Sequence, residues 1–312
     1  MAHDRKFRFG VQLAKATSGP EWAARARQVE DLGFSTLFMP DHFDDQLAPV
    51  PALAAVAAAT TTLRFGALVF DNDYKHPLVL SKEAATLDLL SGGRLELGIG
   101  AGWMRTDYEQ SGISYDPPAE RVDRMEEGIA VIKGLMSGEA FSFAGKHYTI
   151  SDHRQTPEPV QKPHPPLIVG GGGKRVLSIA AREADIVGIN PNLRAGTAGP
   201  EVAPQARPDV TKQRIEWVKE AAGPRFADIE LNVHIGFVMV TDDAMSIAEA
   251  MAPAFDLPPE EVLHVPLALV GTVDWMIEEL QRRREEYGFS YFVFEGGNVE
   301  ALAPVVARLA GI

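Results

Sequence analysis

The chain has 312 residues, enough for one large α/β barrel or two ordinary domains, and its 46% apolar and 23% charged residues describe a globular chain. Thirty basic against 43 acidic residues leave a formal charge of −13, which disfavours nucleic acid and anionic membrane surfaces as partners. The lack of cysteine excludes disulfides and thiolate metal sites; the charged start MAHDRKFRFG reads as no secretory signal, and a cytoplasmic location is the expectation.

Along the chain, short β-branched or aromatic runs alternate with longer segments of helical period, the pattern of repeated βα units. Phe7–Ala14 reads as a strand and Glu21–Leu32 as a helix stopping at Gly33, the residue type favoured just past a helix end. Thr36–Met39 is the second strand, Pro51–Ala59 an Ala-rich helix, Leu63–Phe70 the third strand and Leu78–Leu90 a helix ended by Gly92-Gly93. Arg94–Gly98 is the fourth strand, and a long helix covers about Glu120–Met136. Residues 137–165 interrupt the alternation with a proline-rich stretch and a turn-linked strand pair, Ala140–Phe143 and His147–Ile150. They read as an insertion inside a single domain of residues 1–312. Leu167–Val169, Ile186–Ile189 and Val233–Val240 are the next strands, with helices starting near Lys174, Asp209 and Asp243 and a Gly- and Pro-rich loop over residues 191–208. Thr272–Tyr287 is a helix, Tyr291–Phe294 the eighth strand and Val299–Leu309 the closing helix. Eight strands, each followed by a helix, predict a (β/α)8 TIM barrel, with an open doubly wound sheet as the alternative.

In such a barrel, chemistry belongs to the loops after the strands. Asp41-His42 follows the second strand. An imidazole moves protons near neutral pH and a neighbouring carboxylate can orient it; a purely structural reading makes Asp41 a cap and His42 a loop residue. Gly98-Ile99-Gly100-Ala101-Gly102-Trp103 follows the fourth strand, and Trp103 stands where a dinucleotide fingerprint needs its third glycine, so a nicotinamide fold does not match. The stretch serves either a flat ligand approaching the backbone at Ala101, Gly102 and Trp103, or a tight turn with a packed tryptophan. Gly170–Gly173 with Lys174 and Arg175 opens a helix after the fifth strand, where free N–H groups and the helix dipole favour a phosphate. Gly171, Gly172, Gly173 and Lys174 are the candidate contacts, with simple turn flexibility as the alternative. The eight histidines show no H-x-H or H-E-x-x-H, and no G-x-S-x-G is present, so neither a metal nor serine hydrolysis is expected.

Taken together, Phe9-Gly10-Val11, Asp41-His42-Phe43, the continuous run LDLLSGGRLELGIGAGW from Leu87 to Trp103, and Gly170–Gly173 followed by Ala184-Asp185 form one pattern. It resembles the bacterial luciferase-like flavin and deazaflavin oxidoreductases, in particular their coenzyme F420-dependent branch, over nearly the whole chain. The resemblance implies that His42 lies by the reactive ring as an acid or base, with Asp41 beside it. In that family the third strand often carries a non-proline cis peptide that bulges against the back of the ring, and its expected place here is Ala67-Leu68. The implied activity is hydride transfer between F420 and a small-molecule substrate in a homodimer. The alternatives are an FMN-dependent monooxygenase served by a separate flavin reductase, and a flavin-binding barrel without turnover. Sugar-phosphate dehydrogenases of the family carry a glutamate after the fourth-strand glycines; Trp103 stands there, which argues against glucose-6-phosphate as substrate.

Overall fold

The computed structural model describes residues 5–297 and 299–312. Eight short strands rich in β-branched and aromatic residues are β1 (Arg8–Gln12), β2 (Thr36–Met39), β3 (Arg64–Asp71), β4 (Leu95–Gly100), β5 (Leu167–Gly171), β6 (Ile186–Ile189), β7 (Glu230–Ile235) and β8 (Phe289–Glu295). They pair in parallel and close into a barrel in the order β1, β8, β7, β6, β5, β4, β3, β2. Helices return the chain along the outside, and their apolar faces bury the outward residues of the strands in one large core. Among the described residues, no helix is long and apolar enough to cross a membrane.

Alternation along each strand sends every second side chain into the barrel. The middle of the interior is apolar, a cluster of Phe38, Ile168, Ile186, Tyr291 and Val293 with Leu68 packed against it. Below it, at the amino ends of the strands, the interior is ionic. Glu96 is fully buried and takes the Arg64 Nε at 2.7 Å, the Tyr291 hydroxyl at 2.9 Å and a guanidinium N–H of Arg8. Arg8 also reaches Glu230 at 2.7 Å and lies over the Tyr291 ring, while Tyr291 shares its hydroxyl with Thr36 at 2.7 Å. Two guanidiniums against two carboxylates leave this layer without net charge.

Two expectations change in detail. The apolar run 233–240 is not one strand: the chain leaves the barrel at Gly236, and Phe237–Val240 pairs in parallel with Ala268–Gly271 in a separate two-stranded sheet. A single glycine between two β-branched runs carries no turn signal, so the break was hidden. The helix Ala244–Phe255, started by an Asp243 cap, belongs to this excursion, and the barrel helix after β7 is Val273–Tyr287, capped by Thr272. The insertion after the long helix Pro118–Met136 is the expected hairpin, with antiparallel strands Phe141–Ala144 and Thr149–His153.

The second change concerns β3. Its pairing with β4 slips from Ala67↔Leu97 to Phe70↔Ile99, three steps against two, so residues 68–69 bulge from the ladder. The non-proline cis peptide is Leu68–Val69, one residue beyond the expected Ala67–Leu68, inside that bulge. Room for it comes from β4: a Cβ on Gly98 would stand 2.1 Å from the Ala67 carbonyl oxygen, and one on Gly100 2.5 Å from a Val69 methyl. The G-x-G pattern of β4 therefore serves a neighbouring strand.

Burial alone would raise the pKa of Glu96, but the charges of Arg8 and Arg64 reverse this and hold it below the usual range. Its contribution to stability is therefore fully present at neutral pH and lost as pH falls through its depressed folded-state value. Replacement by Ala removes the shared acceptor of two guanidiniums and of the Tyr291 hydroxyl and should cost about 2 kcal/mol or more in urea unfolding at neutral pH, with a smaller difference in acid.

Candidate active site

The upper ends of the strands carry the loops in which the candidate residues fall. After β2, the chain turns at Pro40-Asp41-His42-Phe43, and after β4 it runs through Ala101-Gly102-Trp103 into a short helix, Arg105–Ser111. These two loops meet. His42 Nδ1 lies 2.7 Å from Asp107 Oδ2, and Asp107 also takes the Phe43 N–H at 3.3 Å and the Tyr74 hydroxyl at 2.8 Å. Asp107 is almost fully buried, whereas the His42 side chain stays 19% exposed. The Trp103 ring stands edge-on to the imidazole, 5.5 Å between centroids.

Asp41 is near this pair but is not its partner. Its carboxylate takes the backbone N–H of Asp71 at 3.1 Å, joining the end of β2 to the end of the bulged β3. Asp71 in turn accepts from the Asp73 N–H at 2.9 Å and from the Tyr108 hydroxyl at 3.1 Å, and Asp73 is paired with Arg124 at 2.9 Å. Burial pushes the Asp71 pKa up to about 7 against those hydrogen bonds. It also raises Asp41 and Asp73. The hydroxyls of Tyr74 and Tyr108 are driven far above their ordinary range by burial and by Asp71, so both remain donors. Gly102, at φ +70°, faces Asp71 and Tyr108 so closely that a Cβ would meet both, which accounts for the glycine without a ligand.

Across the mouth a further set of polar groups faces inward. Asn232 and His234 of β7 lie in register with Tyr291 and Val293, both interior residues, and Glu295 is the next inward position of β8. His234 Nε2 is 3.2 Å from Glu295 but makes no hydrogen bond, and Asn232 Oδ1 is buried with no donor. Buried polar atoms without partners are uncommon and call for a ligand or water.

The glycine run after β5 is shaped from behind. A Cβ on Gly172 would meet the backbone of Asn190, Pro191 and Asn192, which pass close against it. Gly173 starts the helix Lys174–Glu183 with no side-chain cap, leaving N–H groups at the helix start. The two cations point elsewhere: Lys174 pairs with Glu220 at 3.1 Å, and Arg175 with Asp123. A third cation, missed in the sequence, is buried behind the loop. Arg214 donates to the carbonyls of Gly172 at 3.1 Å and Gln205, and burial pulls its pKa down to about 10.

The structure thus gathers Asp41, His42, Leu68, Gly102 and Trp103 at one side of the barrel mouth, and sets Gly171 as the last residue of the fifth strand with Gly172 and Gly173 following it. Ala67 is buried outside the interior, in the core beneath the bulge. Asp107 was missed because a seven-residue helix has too few turns for a period; an acid in its first turn, five residues after Gly102, was the available signal. His234, Asn232 and Glu295 became visible only through strand register.

A closed barrel of this kind, with a histidine and a bulged third strand at its mouth, is the arrangement expected of a luciferase-like enzyme. Residues 6–288 match the luciferase-like monooxygenase family, and the chain belongs to it. The FMNH2-dependent dimethylsulfone monooxygenase of Pseudomonas putida is 32% identical over 153 residues, 49% of this chain and 42% of that protein. The F420-dependent glucose-6-phosphate dehydrogenase of Microbacterium testaceum is 30% identical over 187 residues, 57% of this chain and 55% of that protein. The chain therefore spans about half the length of these relatives. Among solved structures, the coenzyme F420-dependent tetrahydromethanopterin reductase of Methanopyrus kandleri superposes with a TM-score of 0.75 over 97% of both chains at 17% identity, a likeness of fold. The first two of these relatives are named as a monooxygenase and a dehydrogenase.

The raised pKa of Asp71 has a measurable sign. The folded state keeps a proton that the unfolded chain releases, so this group's contribution falls as pH rises from about 4 to 7. Asp71→Asn removes that loss. Urea titrations at about pH 5 and about pH 8 should show the variant gaining on the wild type at the higher pH, by up to about 3 kcal/mol.

Proposed function

We propose that the protein transfers a hydride between coenzyme F420 and a small organic substrate, with His42 handling the accompanying proton. The observation that carries this reading is the His42–Asp107 contact of 2.7 Å at the mouth, beside Trp103 and on the same side as the β3 bulge. Asp107 holds the Nδ1 side of the imidazole, so the opposite nitrogen is the one free to give or take a proton. Tyr74 donates to the same carboxylate oxygen and fixes its direction. Asp41 acts through the backbone: it ties β2 to β3 and sets the relation of His42 to the bulge.

The residues fit a tricyclic cofactor on two counts. Leu68, on the bulge, covers the apolar interior and offers a flat floor, while the unpartnered Asn232 Oδ1 and His234 Nε2 face the same space. Leu68, Ala101, Gly102 and Trp103 would line the ring, and the N–H groups at Gly173 and Lys174 would meet a phosphate, with Arg214 adding positive charge behind the loop. When bound, a deazaflavin supplies the hydride acceptor or donor. Lys174 serves this through its main chain, because its ammonium is engaged with Glu220.

An FMN-dependent monooxygenase working with a separate reductase is the second reading, favoured by the Pseudomonas putida relative. Titrating the protein with F420 and with FMN while following fluorescence separates the two. F420 binding supports the first reading; tight FMN binding with no F420 binding overturns it in favour of the second. His42→Ala should lower turnover about 100-fold or more and leave cofactor affinity within about tenfold. Asp107→Asn should lower turnover in the same direction by a smaller factor. Lys174→Ala should change cofactor affinity by less than about threefold, because a solvent-exposed ion pair contributes little.

A further inference from the structure

Away from the barrel mouth, the insertion hairpin rests on the helix Pro118–Met136 through a single face. Glu120, Asp123 and Glu127 stand at spacings of three and four along that helix and so point the same way. Glu127 takes three successive backbone N–H groups from the hairpin turn, those of Lys146 and His147 at 2.8 Å and Tyr148 at 3.2 Å. The turn is therefore held rigidly, and it delivers the His147 imidazole toward Glu120 and Asp123. Only 9% of that side chain is exposed, and its Nε2 lies 3.6 Å from Glu120, too far for a hydrogen bond, with no other partner. A nine-tenths buried imidazole nitrogen aimed at two carboxylates without bonding either is a donor in want of an acceptor atom or an ion.

We propose that Glu120, Asp123 and His147 form a divalent-cation site of the Zn²⁺ class that clips the insertion hairpin to the barrel helix. One ligand atom from each lies within 4.8 Å of the others, a spread that small side-chain rotations close onto an ion with ligand distances of about 2.1 Å. One imidazole and two carboxylates are a donor set for zinc and its neighbours, not for magnesium. Two cations already face these carboxylates: the Lys146 ammonium at 2.7 Å from Glu120, and the Arg175 guanidinium on Asp123. Lys146 is 60% exposed and on a flexible stem, so a metal ion would displace it from Glu120. That competition gives the test its sign.

Calorimetric titration of chelator-treated, tag-free protein with ZnCl2 should show one saturable site. His147→Ala should weaken it by about tenfold or more, and Lys146→Ala should tighten it by removing the competing ammonium. A diffuse acidic patch would gain from Lys146→Ala but ignore His147→Ala. Absence of saturable binding in the wild type, or wild-type affinity in His147→Ala, overturns the proposal. Should a variant fail to fold, imidazole ¹⁵N shifts of the wild type provide the same decision. Zn²⁺ must move one Nε2 resonance, that of the histidine in contact with the Glu127-anchored turn, and movement of none or of another refutes the site.

Discussion

The slip in register between β3 and β4 governs the upper end of this barrel. Because three steps of β3 run against two of β4, Leu68 turns over the apolar interior and Asp71 reaches the mouth beside the end of β2. Its N–H there engages Asp41, and its carboxylate collects Tyr108 and the turn at Asp73. Asp107 stands next to Tyr108 on the short helix, so the position of His42 descends from the same bulge. Side chains at 98 or 100 would drive β4 into it.

The two ends of the barrel handle charge in opposite ways. At the lower end, Arg8, Arg64, Glu96 and Glu230 neutralise one another around a fully buried Glu96, where the loss of a guanidinium is costly because that carboxylate cannot reach water. At the mouth, Asp41, Asp71 and Asp73 crowd together near the cations of Arg124, Arg121 and Lys75, yet burial outweighs them and shifts all three carboxyls toward holding protons. Charge cancellation makes the base rigid. Incomplete cancellation leaves the mouth responsive to whatever enters it.

Much of this architecture was legible in the sequence because period and punctuation are local properties. Eight strands, their helices and the placing of Asp41-His42 after β2 follow from alternation and turn residues alone. What stayed hidden is what depends on distant chain segments. The carboxylate that holds His42 is 65 residues away, not the adjacent one. The cations after the glycine run find Glu220 and Asp123 on neighbouring helices instead of facing the loop. The glycines of β4 and at 172 record close approach by another strand or loop, and a glycine looks the same in sequence whether backbone or ligand needs the space. At Gly236, an unbroken apolar run concealed a strand that ends and another that begins in a different sheet.

Asp71 gives the mouth a reciprocal property. A carboxyl that titrates near 7 exchanges its proton within the range in which cells work. Any negative ligand seated beside it raises that proton's affinity further, and by the symmetry of coupled equilibria the proton strengthens the ligand to the same degree. An anion that comes to rest against this carboxyl is therefore bound together with part of a proton.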